Sequence, residues 1–117
     1  MATALVAAPP AGAVPPGYQP NGCTFSPDRG WYPVYFDFKS ACDAHDYCYD
    51  DMWYGGGENG RYACDIYFVN RMSAWCNSTY AAWYLAWERG KCGVIAQGYY
   101  GAVRAFGKPY FNNPSKN

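Results

Sequence analysis

The chain has 117 residues, six cysteines and one histidine, with nine Lys+Arg against nine Asp+Glu, so its formal net charge is zero. That balance argues against nucleic acid as the main partner, since phosphate binding calls for surplus cations, and it supplies no polybasic anchor for anionic lipid. The apolar run Ala81 to Trp87 is far too short to span a bilayer, and a soluble protein of one domain is expected.

Residues 1–20 are rich in Ala, Pro and Gly and carry no charge. Without a basic start, and with Pro9 and Pro10 breaking the apolar stretch, they make a poor signal peptide and read as a flexible or polyproline-like extension. Residues 109–117 read as a loose tail, leaving a body of about 21–108. Within it, Gly22, Pro27, Asp28, Gly30 and Pro33 mark 21–35 as an irregular loop. From about Asp37 to Tyr54, Phe38, Cys42, Tyr49 and Met52 recur at helical spacing with His45 among them, and Gly55-Gly56-Gly57 closes the helix. A second helix spans about Arg61 to Ser78, with Asp65, Phe68, Met72 and Trp75 on one face. Ala81–Trp87 reads as a short third helix stopped by Gly90, and Gly93–Phe106 as a fourth weakened by Gly98 and Gly101. Strand-like alternation is rare. The expected fold is all-α, with the first two helices antiparallel across the short glycine link.

The cysteines, at 23, 42, 48, 64, 76 and 92, contain no C-x-x-C pair. Zinc sites and dithiol redox motifs need that close spacing, so a disulfide framework in an oxidising, extracellular compartment is the better reading. Counting alone leaves about 15 connectivities open. Aromatic residues reach 21%, and a chain of this size buries a modest core, which disulfides commonly supplement in secreted proteins.

The single His sits in CDAHDYCYDD. An imidazole titrates near neutrality and serves as a general base once a carboxylate on its other nitrogen fixes the tautomer. Asp46 diverges from His45 by about 100° around the helix, so the orienting carboxylate must come from elsewhere. Asp65 qualifies by register. Facing residues of antiparallel helices keep a nearly constant index sum, and the His45–Asp65 and Cys48–Cys64 pairs differ in that sum by only two. A Cys48–Cys64 bond would therefore pin the helices close to the register that brings Asp65 to His45. Asp46 asks for another partner. If Cys23 bonds to Cys42, Asn21, Gly22 and Asp46 come together as an oxygen-rich site suited to calcium, of modest affinity given the low ligand charge.

These residues resemble a family. HDYCYD preceded by Cys42, NGC-x-x-SPD upstream and CDIYF-x-x-RM downstream look like a secreted phospholipase A2, more the small bacterial and fungal enzymes than the venom and pancreatic ones. The resemblance covers about residues 21–92. It implies a secreted, helical, calcium-dependent enzyme that hydrolyses the sn-2 ester of glycerophospholipids, releasing a fatty acid and a lysophospholipid. His45 would activate water and Asp65 would orient it. Asp46 and the Gly22 carbonyl would hold Ca2+, with Asn21 adding a side-chain oxygen. The preferred cysteine pairs are 23–42, 48–64 and 76–92.

The chain departs from that pattern where Asn21 replaces the family's usual Asp, where Ala44 and Cys48 replace an Arg and a Gly, and in the longer, more aromatic RGWYPVYFDF. Trp31, Tyr32 and Tyr35 in that stretch are the expected contacts with a phospholipid surface, since Trp and Tyr favour the headgroup boundary. Two other readings stand beside the enzyme: a weak or inactive relative that binds lipid or protein, and an aromatic-rich carbohydrate-binding module, which would be β-rich.

Overall fold

The computed structural model describes Cys23 and residues 26–111. The extension at 1–20, Asn21, Gly22 and residues 112–117 lie outside that range. A two-residue hairpin, β1 (Arg29–Gly30) against β2 (Phe36–Asp37), leads into helix α1 (Lys39–Asp51). Helix α2 (Glu58–Thr79) follows, then a 3-10 turn (Trp83–Leu85), helix α3 (Ala86–Phe106) and a last 3-10 turn (Lys108–Tyr110). The described chain is mostly helical, as the sequence leads one to expect, and a β-rich binding module is excluded.

Each helix is set by local chemistry. The Asp37 carboxylate accepts the Lys39 backbone N–H at 3.1 Å and opens α1. Met52, in the left-handed region at φ 51°, ends it. The helix therefore stops at Asp51, three residues short of the Tyr54 end read from the sequence, because Met52 turns the chain before the glycines are reached. Two glycines then do specific work: Gly55 adopts φ +106°, and at Gly60 a Cβ would collide with the Gly55 carbonyl. This tight link lets α2 begin at Glu58, ahead of the predicted Arg61.

Helices α1 and α2 run antiparallel. Ser40 pairs with Arg71, His45 with Asp65 and Cys48 with Cys64, an almost constant register along the contact. Helix α3 returns antiparallel to α2, joined by Cys76–Cys92 near one end and by Arg104–Asp65 near the other. It is one helix. The short third and separate fourth helices expected from the sequence are replaced by a 3-10 turn and a continuous Ala86–Phe106. Gly90, Gly93, Gly98 and Gly101 lie inside it, with no atom beyond the helix's own backbone within 4 Å of where their Cβ would be. Each costs roughly 0.5–1 kcal/mol of helix propensity relative to Ala. Burial of Cys92, Ala96 and Val103 against the rest of the core offsets that cost.

The core gathers Phe38, Phe68 and Met72, all essentially inaccessible, with Val34, Phe36 and Ala96 around them. Full burial of such a side chain contributes about 1.5–3 kcal/mol. Phe38 meets Trp75 and Tyr99 edge-on at 5.9 and 5.4 Å between ring centres. A second cluster packs Tyr49 and the Cys48–Cys64 bond against Tyr110 and Phe111. The packed body thus runs on to Phe111, past the boundary at 108 read from composition. The three disulfides join Cys23 to Cys42, Cys48 to Cys64 and Cys76 to Cys92, which are the preferred pairs. They tie the hairpin segment to α1, α1 to α2, and α2 to α3.

Candidate active site

His45 on α1 and Asp65 on α2 meet in the interior. His45 Nε2 lies 2.7 Å from Asp65 Oδ1, with His45 6% exposed and Asp65 0%. A carboxylate only accepts hydrogen bonds, so the proton of this contact sits on Nε2 and the Nδ1 lone pair becomes the basic site of the ring. Phe68 stacks on the imidazole at 4.4 Å and Tyr49 lies tilted against it at 4.2 Å. Two rings and one carboxylate leave the imidazole little freedom to turn.

Asp65 is held from several sides. The Tyr49 hydroxyl donates to Oδ1 at 2.6 Å, and Arg104 Nη1 donates to Oδ2 at 2.6 Å. Arg61 Nη1 lies farther off, 3.7 Å from Oδ2. It donates instead to the Val103 carbonyl at 3.0 Å and, through Nε and Nη2, to both oxygens of Glu58. Arg104 Nη2 reaches Glu58 at 2.6 Å, so one carboxylate gathers both guanidiniums. Burial, together with the Asp65 charge, pushes the Tyr49 hydroxyl well above the ordinary tyrosine range, which keeps its proton available for Asp65. Hydrogen bonds from Arg61 and Arg104 draw Glu58 down to about 2. Burial works against the charge on Arg104, and its bonds to Glu58 and Asp65 more than offset it.

Asp46, next to His45, is 5% exposed and so does not belong to a solvated acidic face. Three residues before it, Asp43 gives one oxygen to Lys39 at 2.8 Å. Its other oxygen is buried without a hydrogen-bond partner among the described residues. Asn21 and Gly22 fall outside those residues, and within them no group of three or more His, Cys, Asp or Glu side chains is arranged to hold a metal. Trp31 and Tyr32, at the tip of the β1–β2 hairpin, are 72% and 89% exposed. Tyr35, 39% exposed, ties that tip to the far end of α2: its ring meets Trp75, and its carbonyl accepts the Tyr80 hydroxyl at 2.6 Å.

The sequence reading missed several residues that meet here. From sequence, Tyr49 belongs only to an apolar stripe and Arg61 only marks a helix start, and nothing singles out Glu58 or Arg104. Trp83 and Tyr84 in the 3-10 turn and Trp87 in the first turn of α3 are further exposed aromatics, where the sequence leads one to expect a short third helix.

The architecture defines a class before it defines a family: a small helical domain, closed by three disulfides, in which adjacent helices bury a His–carboxylate pair. The family model for prokaryotic phospholipase A2 matches residues 13–107, most of the chain, and the chain belongs to that family. It is accordingly a phospholipase A2 enzyme. No curated protein matches the sequence. No helix among the described residues is long and apolar enough to cross a membrane.

Proposed function

We propose that the protein hydrolyses the sn-2 ester of glycerophospholipids outside the cell, releasing a fatty acid and a lysophospholipid, with His45 as general base and Asp65 as its orienting carboxylate. The observation that carries this reading is the 2.7 Å contact of His45 Nε2 with a fully buried Asp65, inside the segment matched by the family. With Nε2 committed to Asp65, Nδ1 takes a proton from water as that water attacks the ester carbonyl. The imidazolium so formed is stabilised by the Asp65 charge and returns its proton to the leaving lysophospholipid oxygen. Acid–base action of this kind contributes on the order of 10²–10⁴-fold to rate.

The family implies calcium, and the donor chemistry here fits it. Asp46 is a buried carboxylate, and Asp43 brings an oxygen without a hydrogen-bond partner to the adjoining turn. Asn21 and Gly22 precede Cys23, which the Cys23–Cys42 bond holds 5.0 Å, Cα to Cα, from a residue one turn before Asp46. Asp46, the Gly22 carbonyl and the Asn21 amide oxygen would hold the ion. When bound it supplies a positive charge for the developing oxyanion. Trp31, Tyr32 and Tyr35 would meet the lipid surface, a role supported by the exposure of the hairpin tip.

The test uses phospholipid labelled at the sn-2 chain, presented in mixed micelles with calcium or with chelator. Labelled fatty acid, released only with calcium, is expected. Label retained in the lysophospholipid would reject sn-2 attack, and release indifferent to chelator would reject the Asn21–Gly22–Asp46 site. Trp31→Ser with Tyr32→Ser should weaken partition onto phosphatidylcholine vesicles, and unchanged partition would remove the hairpin from the lipid contact.

A further inference from the structure

We infer that Arg104, on α3, is a positioning residue for the His45–Asp65 pair, fixing the carboxylate so that Oδ1 faces the imidazole; this rests on the catalytic reading of that pair given above. A carboxylate turns about its Cβ–Cγ bond unless both oxygens are held. Oδ1 of Asp65 takes its two partners, His45 and Tyr49, from α1. Among the described residues, Oδ2 takes a short hydrogen bond from one residue only, Arg104, at 2.6 Å, and that residue lies 39 positions later in the chain. Arg61 does not duplicate it. At 3.7 Å, Arg61 Nη1 adds positive charge near Oδ2 but lies beyond hydrogen-bond range. Charge compensation is therefore available without Arg104, and what Arg104 adds is direction.

The arginine is itself held at both ends. Arg61 donates to the carbonyl of Val103, the residue just before it, so the backbone from which Arg104 projects is fixed to α2. The guanidinium is anchored by Glu58 at 2.6 Å and lies over the Tyr62 ring at 5.1 Å. Glu58, Arg61 and Tyr62 all belong to the first turns of α2, and Asp65 follows on the same helix. The end of α3 is thus locked to the start of α2 by a frame whose shortest inward-pointing bond, from Arg104, ends on the carboxylate that orients His45.

The test combines a spectroscopic and a kinetic arm. The protein contains one histidine, so its imidazole nitrogens and the Nε2 proton give a single set of NMR signals. In Arg104→Gln, whose amide donor is too short to reach Oδ2, the Nε2–H signal should move and broaden, while Arg104→Lys, which keeps a donor of closer reach, should stay near wild type. This arm decides the inference even if no phospholipid is hydrolysed, an outcome that would sink the catalytic reading alone. In the kinetic arm, Arg104→Gln should lower kcat on the order of 10-fold with KM unchanged, as for a slightly misplaced catalytic group. Added to Asp65→Asn, it should cost little more, because its effect passes through that carboxylate. Thermal unfolding of each variant confirms that folded protein is compared. An unaltered Nε2–H signal in folded Arg104→Gln, or losses that multiply in the double variant, would overturn the inference.

Discussion

Asp65→Asn isolates what the buried carboxylate does. Three donors converge on it: His45 and Tyr49 at Oδ1 and Arg104 at Oδ2, between 2.6 and 2.7 Å. An amide of the same shape has one acceptor oxygen and one NH2. With the oxygen toward His45 and Tyr49, the NH2 confronts Arg104, donor against donor. With the oxygen toward Arg104, the NH2 confronts Tyr49 and forces the opposite tautomer on His45, placing the proton on Nδ1. Breaking a buried ion pair costs about 3–5 kcal/mol, and a hydrogen bond to a charged group is worth about 1.5–3 kcal/mol. Arg104 keeps Glu58 and is 26% exposed, which places the loss at the lower end of the ion-pair range, about 3 kcal/mol. At roughly 4–8 °C per kcal/mol for a body of this size, the thermal midpoint should fall by on the order of 10 °C. Hydrolysis at a temperature where the variant stays folded should drop roughly 10²–10⁴-fold, since either orientation spoils the tautomer or its support. Circular dichroism melts and fatty-acid release measure both. A variant that melts with wild type and keeps a rate within tenfold of it would refute the reasoning.

The disulfides separate stability from activity. Cys48–Cys64 and Cys76–Cys92 each span a sequence separation of 16, so converting either pair to Ala should cost a similar amount, about 3 kcal/mol in the chain-entropy account. Only loss of Cys48–Cys64, one turn from His45, should also lower kcat of the folded protein; equal rates for the two variants would contradict the register argument. Glu58 sits near 2 in the fold against 4.5 for the free side chain. Its contribution to stability is therefore complete above 4.5 and is lost as pH falls toward 2. In Glu58→Gln, the thermal midpoint measured across that window should change less with pH than in wild type, and added salt should shrink the difference because the group is exposed. Parallel curves for the two proteins would remove Glu58 from the frame.

Much of the fold was legible because its signals are local or periodic. The apolar stripes of α1 and α2, the glycine link and the cysteine spacing all constrain an antiparallel pair, and that register already places Asp65 against His45. What the sequence hid depends on tertiary contact. Gly90 reads as a helix stop and Gly98 and Gly101 as weak points, yet packing against α2 carries α3 straight through them. Met52 as a left-handed stop has no signature in a residue that favours helix. Glu58, Arg61 and Arg104 carry no local sign of their role, since nothing local reveals that α3 returns to lay Arg104 on a buried carboxylate. Tyr49 fitted the apolar stripe so well that its hydroxyl went unread, although a buried tyrosine hydroxyl calls for an acceptor. The exposed Trp83, Tyr84 and Trp87 were read as one helix because an apolar run does not declare which way it faces.

The most direct test of the central claim is fatty-acid release from phospholipid micelles in the presence of calcium, wild type against His45→Ala. His45 is buried among Tyr49, Phe68 and Asp65, so the variant's helical spectrum and melting curve are recorded alongside. The account predicts release by the wild type and a loss on the order of 10²–10⁴-fold in a folded His45→Ala. A folded variant that hydrolyses at the wild-type rate would contradict it.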